Sequence, residues 1–597
     1  MTDTAPDSFP RLEQLALIGN CQCSALVADD GDVTWCCLPR LDSEPIFGAL
    51  LDRARGGRFH VGASDGRRGR STYLPNTNVV ATEFETDGGR FRVTDFFPRW
   101  EQHGRAFRPA TLIRILEPIE GTPRVRVACE PRLGWSGAAP RLAPGSNHVD
   151  FEGFVSRLRL TTDIPLSYLG GRPFALTGKR HLALTWGSPI EEPLPALCAR
   201  FLDETVRYWR RWVKQCNVPP EFQAQVIRSA LCLKLHCFED TGAIVAATTT
   251  SLPEAPDSGR TWDYRHCWLR DSYYVIDALR LLGQFEEREA FLHYLVDVAA
   301  ASPGLELSPV YRIDGTSDLT EQIVEGWSGY GGFGPVRHGN AAAKHKQHDV
   351  FGEVALSLTP LFLDDRFASD QTPEVLDLLL RLADKAVSVA GTPDTGIWEI
   401  RSAMRPQTFS TLMCWAAADR AARVAERWRP GAPSRLAQAA THLRERILKE
   451  SWSAERKAFV ADLGGKEMDA AVLQMVPLRF LPRQDERLHA TVDAIVKELS
   501  RGGWLLRYTT DDGLGHPHTA FVICTFWLAE ALALLDRADE ARAALDLALG
   551  ASSPIGLLAE DFDPQTKRLW GNFPQAYSHV GLIHAAFRVS EKWSDVL

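Results

Sequence analysis

Two patterns of hydrophobic and polar positions divide the chain. Between Leu17 and about Arg200, short apolar runs alternate with polar residues and are separated by turn residues such as DGD at 30–32 and DGG at 87–89. Asp-Gly pairs between alternating runs are typical of β-hairpins. The first part of the chain is therefore predicted to be a sandwich of antiparallel sheets.

The spacing of apolar residues becomes helical near Pro195. A first helix is predicted from Leu197 to Cys216, and beyond it nearly every apolar segment has a period of about 3.6 residues. Twelve helices joined alternately by short and long connections are what a closed toroid of six inner and six outer helices needs. The predicted helices are 221–238, 265–282, 285–301, 346–363, 372–390, 408–427, 433–451, 469–478, 485–500, 517–535, 538–549 and 576–592.

The chain is thus predicted to be multidomain. Residues 1–200 would form the N-terminal antiparallel β-sandwich, 201–219 a linker helix, and 220–597 a C-terminal all-α barrel. Several long loops connect the predicted helices. Such loops are uncommon unless they are functional or disordered, and these carry Trp, Arg and Glu. We therefore expect the functional site at the rim of the barrel where the long loops gather. The long loops are 248–264, 303–344, 391–407, 502–516 and 550–575.

Composition narrows the class of protein. Of 597 residues 45% are hydrophobic and 24% charged, and the formal charge of −9 gives no reason to expect nucleic acid or an anionic membrane as partner. The N-terminus has no signal-peptide pattern, and no apolar run approaches about 18 residues. We expect a soluble, cytoplasmic protein with twelve reduced cysteines and a small or neutral ligand. The sequence leaves open whether the protein forms a homo-oligomer.

The stretch from Gly259 to Gly283 combines aromatic and charged residues with the start of a helix. Flat aromatic faces beside Arg270 and Asp271 are what a sugar ring requires, since its C–H faces stack on rings and its hydroxyls bond to charged groups. The same stretch also fits a capped amphipathic helix with a Trp-rich start, so the pattern leaves both interpretations open.

Two loop glutamates fit the hydrolysis of a glycosidic bond, which needs an acid and a second carboxylate. Glu399 lies in DTGIWEIR, where the apolar wall of Ile397 and Trp398 would raise its pKa, as a general acid requires. Glu560 lies in IGLLAEDFDP, in a different loop. Asp271 follows Arg270, which we expect to hold it ionised, so it suits binding of hydroxyls better than proton donation.

Other polar residues in the rim loops are also candidates for catalytic or metal-binding roles. Glu325 and Glu353 flank a glycine-rich segment whose backbone can approach a ligand closely. His338, His345 and His348 resemble metal ligands, but only the last two have a helical spacing, and a solvated basic helix start explains them better. No P-loop, dinucleotide fingerprint or serine nucleophile motif is found, so neither a metal nor a cofactor is predicted.

Many motifs in one order resemble glycoside hydrolase family 15, the glucoamylase-like inverting α-glucosidases, within the bacterial branch that includes trehalases. The matching stretches cover nearly the whole chain and include TGAIVAATTTSLPEA, TWDYRHCWLRD, PVRHGNAAA, TGIWEIR, RYTTDDGL and GLLAEDFDP. The resemblance implies a β-sandwich, a linker helix and an (α/α)6 barrel. The sequence departs from the family pattern at His338 and His348, and QTFSTLMCWAAADRA lacks the HxS-type segment expected after the general acid.

The resemblance also implies roles for individual residues. Glu399 would be the general acid and Glu560 the general base, with carboxyl groups about 6.5 to 9.5 Å apart, as inverting enzymes need. The residues that the matched motifs assign to substrate binding are Tyr264, Trp268, Arg270, Asp271, Arg337, Trp398, Arg507 and Tyr577.

The function predicted from these observations is an exo-acting inverting hydrolase that releases glucose from α-glucosides without a cofactor. Trehalose and malto- or isomalto-oligosaccharides stay open as substrates. A glycoside phosphorylase on the same type of scaffold is the alternative enzyme, although Glu560 argues against it, and an inactive sugar-binding protein is the third interpretation.

Overall fold

The computed structural model describes residues 9–400, 403–430 and 434–596. Residues 1–8 of the predicted sandwich, Arg401 of the GIWEIR motif and Pro433 at the start of a predicted helix lie outside these ranges. The strands that precede the first long helix are β1 (Leu15–Gly19), β2 (Ser24–Ala28), β3 (Asp32–Cys37), β4 (Pro45–Phe47), β5 (Arg58–Ala63), β6 (Arg70–Tyr73), β7 (Val80–Thr86), β8 (Gly89–Phe96), β9 (Trp100–Gln102), β10 (Arg105–Phe107), β11 (Thr111–Gly121), β12 (Arg124–Glu130), β13 (Arg141–Pro144), β14 (His148–Glu152), β15 (Leu158–Thr162), β16 (Phe174–Ala175) and β17 (Arg180–Trp186).

Apart from β9 and β10, which pair only with each other, these strands form two antiparallel sheets that pack face to face. One sheet has the order β1-β2-β3-β5-β12-β16 with β4 paired to β3, and the other has the order β13-β14-β15-β17-β11-β8-β7-β6. Because alternate residues of a strand point to the same side, apolar residues of both sheets, such as Val27 and Leu116, meet in one core. The predicted antiparallel sandwich is confirmed.

Both predicted hairpin turns are present. The turn at 29–31 joins β2 to β3, and the turn at 87–88 joins β7 to β8. Gly31 has φ +91°, and a Cβ added there would lie 2.0 Å from the carbonyl oxygen of Val61, so the turn depends on a residue without a side chain. The Asp-Gly signal thus reports a real steric requirement.

Helices occupy most of the rest of the chain. They are α1 (Leu194–Gln215), α2 (Gln223–His236), α3 (Leu269–Leu281), α4 (Phe285–Ala300), α5 (Asp349–Leu358), α6 (Pro373–Val389), α7 (Thr408–Trp428), α8 (Ser434–Glu450), α9 (Glu486–Leu499), α10 (Val522–Leu534), α11 (Ala538–Leu549), α12 (Ala576–Val589) and α13 (Trp593–Val596).

Helix α1 connects the sandwich to the helical part. It begins at Leu194, inside the range predicted for the sandwich, and its Phe201 ring lies 4.8 Å from that of Trp100 on β9. At its other end the indole of Trp212 donates to Glu287 Oε1 on α4 at 3.0 Å. One helix therefore contacts both parts of the molecule.

The remaining helices close into a double ring. The inner positions are taken in turn by α3, α5, α7, a 3₁₀ segment (Ala470–Met475), α10 and α12, and the outer ones by α4, α6, α8, α9, α11 and α2. Helix α10 is buried from Val522 to Leu532 because an inner helix is covered on all sides, which explains its continuous apolar sequence. The predicted toroid is confirmed, although the segment predicted as helix 469–478 is 3₁₀ and 346–363 is helical in α5 only from Asp349.

The long loops carry short antiparallel ribbons near one end of the ring. They are β18 (Cys237–Phe238), β19 (Ala243–Ile244), β20 (Cys267–Trp268), β21 (Val310–Tyr311), β22 (Gln322–Ile323), β23 (Arg337–His338), β24 (Trp452–Ser453), β25 (Ala458–Phe459), β26 (Ser500–Arg501), β27 (Trp504–Leu505), β28 (Ala520–Phe521), β29 (Asp561–Asp563) and β30 (Arg568–Trp570). Among the described residues, no helix has the length and apolarity that a membrane crossing requires.

Candidate active site

A polar and aromatic pocket opens among the loops that precede the inner helices. The space between its lining atoms, counted out to its mouth, is about 690 Å³. Four separate loops contribute to the lining, which is why no single motif describes it. The residues predicted from the sequence that line it are Tyr264, Trp268, Arg270, Asp271, Trp398, Glu399, Arg507 and Tyr577.

Glu399 stands on a loop in an unusual backbone conformation. Its φ is +59°, in the left-handed region that non-glycine residues rarely adopt. The indole of Trp268 donates to Glu399 Oε1 at 2.7 Å, and Arg270 Nη2 lies 3.7 Å from the same oxygen. The Glu399 side chain is 21% exposed, so its second oxygen is accessible from the pocket.

Glu560 lies just before β29 and is only 1% exposed. Tyr264 Oη donates to its Oε1 at 2.7 Å and the backbone N–H of Asn572 donates to its Oε2 at 3.1 Å. Burial and the nearby Glu254 carboxylate raise the pKa of Glu560, while the Tyr264 hydrogen bond and Arg507 act in the opposite direction. Glu560 is not among the residues that line the pocket, and Tyr264, which does line it, holds the carboxylate through this hydrogen bond.

An aromatic pair separates the two glutamates. The rings of Tyr264 and Trp268 meet edge to face with centroids 5.2 Å apart. Tyr264 holds Glu560 and Trp268 holds Glu399 through the hydrogen bonds described above. The two carboxylates are therefore held by the two members of one aromatic pair.

The first turn of α3 supplies Arg270 and Asp271. Arg270 Nη1 donates to the carbonyl oxygen of Ile397 at 2.9 Å, which joins α3 to the Glu399 loop. Among the described residues, Tyr577 Oη is buried without a hydrogen-bond partner, and the buried Asp271 Oδ2 and Arg270 Nε face only each other, 3.3 Å apart. Buried polar atoms without partners at a pocket wall are suited to the hydroxyl groups of a ligand.

The prediction that Arg270 keeps Asp271 ionised stays a prediction, because two opposing effects act on the pKa of this carboxyl. Arg270 Nε lies 3.3 Å from Asp271 Oδ2 and lowers the pKa of this carboxyl. Burial acts in the opposite direction and outweighs it, and the negative Glu399 adds to it, so the pKa of Asp271 is raised above its ordinary value. Sequence proximity to an arginine could not show how little water surrounds the pair.

Trp398 and Arg507 complete the wall next to Glu399. The indole of Trp398 donates to both carboxylate oxygens of Asp469 at 2.9 Å, and its ring stands edge to face with Phe521, 5.5 Å between centroids. Arg507 forms an ion pair with Glu254. Both side chains are thus held from behind, with their remaining surfaces toward the pocket.

Sequence reasoning missed three charged lining residues, Glu254, Arg260 and Asp512. Arg260 donates to Asp512 through both terminal nitrogens, at 2.6 and 2.7 Å. Glu254 and Arg260 belong to the long loop 248–264 and Asp512 to the RYTTDDGL motif, so the loop length was the available signal. Their partners lie in distant parts of the sequence, and local patterns do not reveal such pairs.

Arg337 supports the pocket from outside. Its guanidinium lies 4.7 Å from the ring centre of Trp262, a lining residue, and donates to the backbone oxygens of Gly259 and Thr261 at 3.2 and 3.0 Å. The structure therefore places Arg337 behind the indole rather than beside the ligand space.

The three histidines considered as metal ligands lie in different surroundings. His338 stacks on Trp135, with centroids 6.0 Å apart, and His348 Nδ1 lies 3.2 Å from Thr392 Oγ1. The helix predicted from residue 346 begins only at Asp349, so His345 and His348 both precede it. In the described ranges one group with metal-ligand spacing is found, Glu289, His293 and Asp370, none of which lines the pocket.

Comparison with known proteins decides the family. Residues 222–587 match Glycosyl hydrolases family 15, and residues 5–162 match a domain described as Trehalase-like, N-terminal. The chain belongs to glycosyl hydrolase family 15. It is 34% identical to Trehalase of Mycobacterium tuberculosis, over 97% of this chain and 90% of that one, and 31% identical to Trehalase of Thermoplasma volcanium, over 99% and 95%.

The fold of this family 15 enzyme also has a counterpart among solved structures. A bacterial glucoamylase crystallised with acarbose superposes with a TM-score of 0.65 at 13% identity, over 98% of this chain and 94% of that one. Family membership makes the protein a glycoside hydrolase, which settles the choice between hydrolase, phosphorylase and inactive binding protein that the sequence left open.

Proposed function

We propose that this family 15 enzyme hydrolyses α,α-trehalose to two molecules of glucose by an inverting reaction. The relatives named trehalase match the chain over nearly its full length, sandwich included, which supports this substrate over longer α-glucans. The observation that carries the mechanism is the placement of Glu399 and Glu560 on either side of the Tyr264–Trp268 pair.

In this mechanism Glu399 is the general acid. Its Oε1 accepts from Trp268, so the proton to be delivered is carried on Oε2, the oxygen that the exposed part of the side chain turns to the pocket. The proton passes to the glycosidic oxygen as the bond from C1 to that oxygen breaks. The leaving glucose then departs as a neutral alcohol.

Glu560 is the general base of the same step. It removes a proton from a water whose oxygen attacks C1 from the face opposite the leaving group, which yields β-glucose from the cleaved residue. Donors on both Glu560 oxygens stabilise the ionised form that a base needs. Its raised pKa makes it a stronger base once it is ionised.

The two sugar rings would occupy different walls of the pocket. Asp271, Arg270 and Tyr577 offer polar atoms to the hydroxyls of the cleaved glucose. The Arg260–Asp512 pair, on a wall built by other loops, suits the hydroxyls of the leaving glucose. All twelve cysteines lie in described parts of the chain as free thiols, which suits the reducing cytoplasm where we place the enzyme.

The test is a glucose-release assay of the purified protein with trehalose, maltose and isomaltose, each with and without phosphate. We expect the highest kcat/KM with trehalose, with two glucose molecules formed per substrate. A higher kcat/KM with maltose would contradict the substrate, and glucose 1-phosphate among the products would contradict hydrolysis.

A further inference from the structure

The N-terminal sandwich contacts the loop that carries Tyr264, on the side away from the pocket. The indole of Trp35, on β3, donates to the carbonyl oxygen of Thr248 at 2.8 Å. The backbone of Thr250 in turn bridges to Asp263 in an antiparallel pairing. The strand-like stretch around Tyr264 thus lies between the pocket and the sandwich.

Side chains of this stretch alternate between the two sides, as extended backbone requires. Tyr264 faces the pocket, whereas Asp263 and Arg265 are 0% and 2% exposed on the opposite side. Arg265 donates two hydrogen bonds to Asp263, from Nε to Oδ1 at 2.9 Å and from Nη2 to Oδ2 at 2.7 Å. The residues on both sides of Tyr264 are therefore locked together behind it.

Arg265 is also fastened to the sandwich. Its Nη1 donates to the carbonyl oxygen of Ser43 at 2.6 Å, and its guanidinium lies 5.8 Å from the ring of Trp35 and 5.5 Å from that of Trp135. A buried charge held by a carboxylate, a carbonyl and two aromatic faces has one well-defined position. The sandwich thereby fixes the Arg265–Asp263 unit, and this unit fixes the backbone of Tyr264.

We propose that Arg265 is a positioning residue through which the sandwich holds Tyr264, and with it Glu560, in place for catalysis. The inference rests on the proposed role of Glu560 as base. It assigns the N-terminal sandwich a direct part in the reaction geometry, beyond covering the barrel. The charged and titratable groups that face Glu560 are Tyr264, Glu254, Arg507 and the adjacent Asp561.

The experiment compares Arg265→Met with Arg228→Met. Arg228 also joins barrel to sandwich, since its Nη1 donates to the Thr77 carbonyl at 3.0 Å and its guanidinium stacks 3.8 Å from the Tyr73 ring, but it lies on α2, away from the Tyr264 segment. Both variants should lower Tm. Only Arg265→Met should lower kcat, by about a hundredfold, because small displacements of catalytic groups have effects of this size.

The pH profile of kcat/KM gives the second readout. The Tyr264 hydrogen bond lowers the pKa of Glu560, so its loss should move the acidic limb to higher pH in Arg265→Met, as in Tyr264→Phe. Arg228→Met should keep the wild-type limb. If Arg265→Met lowers Tm but leaves both kcat and the acidic limb of the kcat/KM profile unchanged, the inference is overturned.

Two further results separate the possible failures. If Arg265→Met does not fold, the second variant is Trp135→Leu, which removes one aromatic face from Arg265 without breaking the ion pair. Its acidic limb should shift in the same direction by a smaller amount. A wild-type kcat and a wild-type acidic limb in Trp135→Leu would overturn the inference. A Tyr264→Phe enzyme with the wild-type limb would overturn the proposed base itself, and the inference with it.

Discussion

Glu399 and Glu560 serve one pocket but are held in opposite ways. Glu399 projects from a loop with a left-handed backbone, its side chain 21% exposed and one oxygen bonded to Trp268. Glu560 is 1% exposed just before β29, with donors on both oxygens. An acid must release a proton to a substrate oxygen, whereas a base must accept one from the attacking water, and both must exchange that proton before the next turnover.

The difference shows that the two roles depend on the surroundings and not on the residue type. A carboxyl with one free oxygen can carry a proton into the pocket. Donors on both oxygens stabilise the anion of a carboxylate, whereas burial beside Glu254 outweighs them at Glu560, raises its pKa and makes it more basic. Each experiment below tests one side of this contrast.

The largest effect is expected for Glu560→Gln. The amide keeps the shape but cannot accept the proton of the attacking water, so kcat should fall by about a thousandfold or more with both trehalose and α-glucosyl fluoride. Steady-state kinetics with the two substrates measure this. Retained activity with either substrate would show that another group is the base.

Glu399→Gln should lose a similar factor with trehalose but only about tenfold or less with α-glucosyl fluoride, because fluoride departs without a proton. The ratio of the two losses distinguishes an acid from a base. Equal losses with both substrates would remove the contrast between the two glutamates.

Asp271→Ala comes next in size. It removes a partner of the sugar hydroxyls and leaves Arg270 without its neighbouring carboxylate, so about 2 to 4 kcal/mol of transition-state binding, or roughly thirtyfold to a thousandfold in kcat/KM, should be lost. Asp277→Ala is the control, since Asp277 lies on the same helix but bonds to Arg280 at 2.8 Å and is not part of the pocket lining. A near-normal kcat/KM for Asp271→Ala would exclude its role.

The smallest effect is a shift of pH dependence in Glu254→Gln. After burial, the Glu254 charge is the main cause that raises the pKa of Glu560, so its removal lowers that pKa. Because the base acts only when ionised, kcat/KM falls as pH drops through this pKa, and the acidic limb should move to lower pH. Asp511→Asn removes the same charge from an exposed loop residue and should leave the limb unchanged. An unmoved limb in Glu254→Gln would contradict the electrostatic account.

The regular parts of the fold could be predicted from the sequence because each rests on local spacing. The DGD turn requires a glycine, and the helical period reports which face is covered. The 3₁₀ segment Ala470–Met475 was predicted as an α-helix because its residues are apolar all along, and periodicity does not distinguish the two forms.

The pocket was only partly predictable. Motif resemblance pointed to residues in several loops, but Glu254, Arg260 and Asp512 owe their positions to pairings between loops far apart in the chain. The raised pKa of Asp271 was missed for a related reason, because burial is a property of the folded pocket and not of neighbouring residues.

The central claim is that Glu399 and Glu560 act from opposite faces of the sugar, and the anomeric form of the first product tests it most directly. Proton NMR during the first minutes of trehalose hydrolysis, before mutarotation mixes the anomers, records the two glucose molecules separately. Inversion at one C1 yields equal amounts of α- and β-glucose, because the leaving glucose keeps its α configuration. Initial formation of α-glucose alone would show retention and contradict the assignment of an acid and a base to this pair.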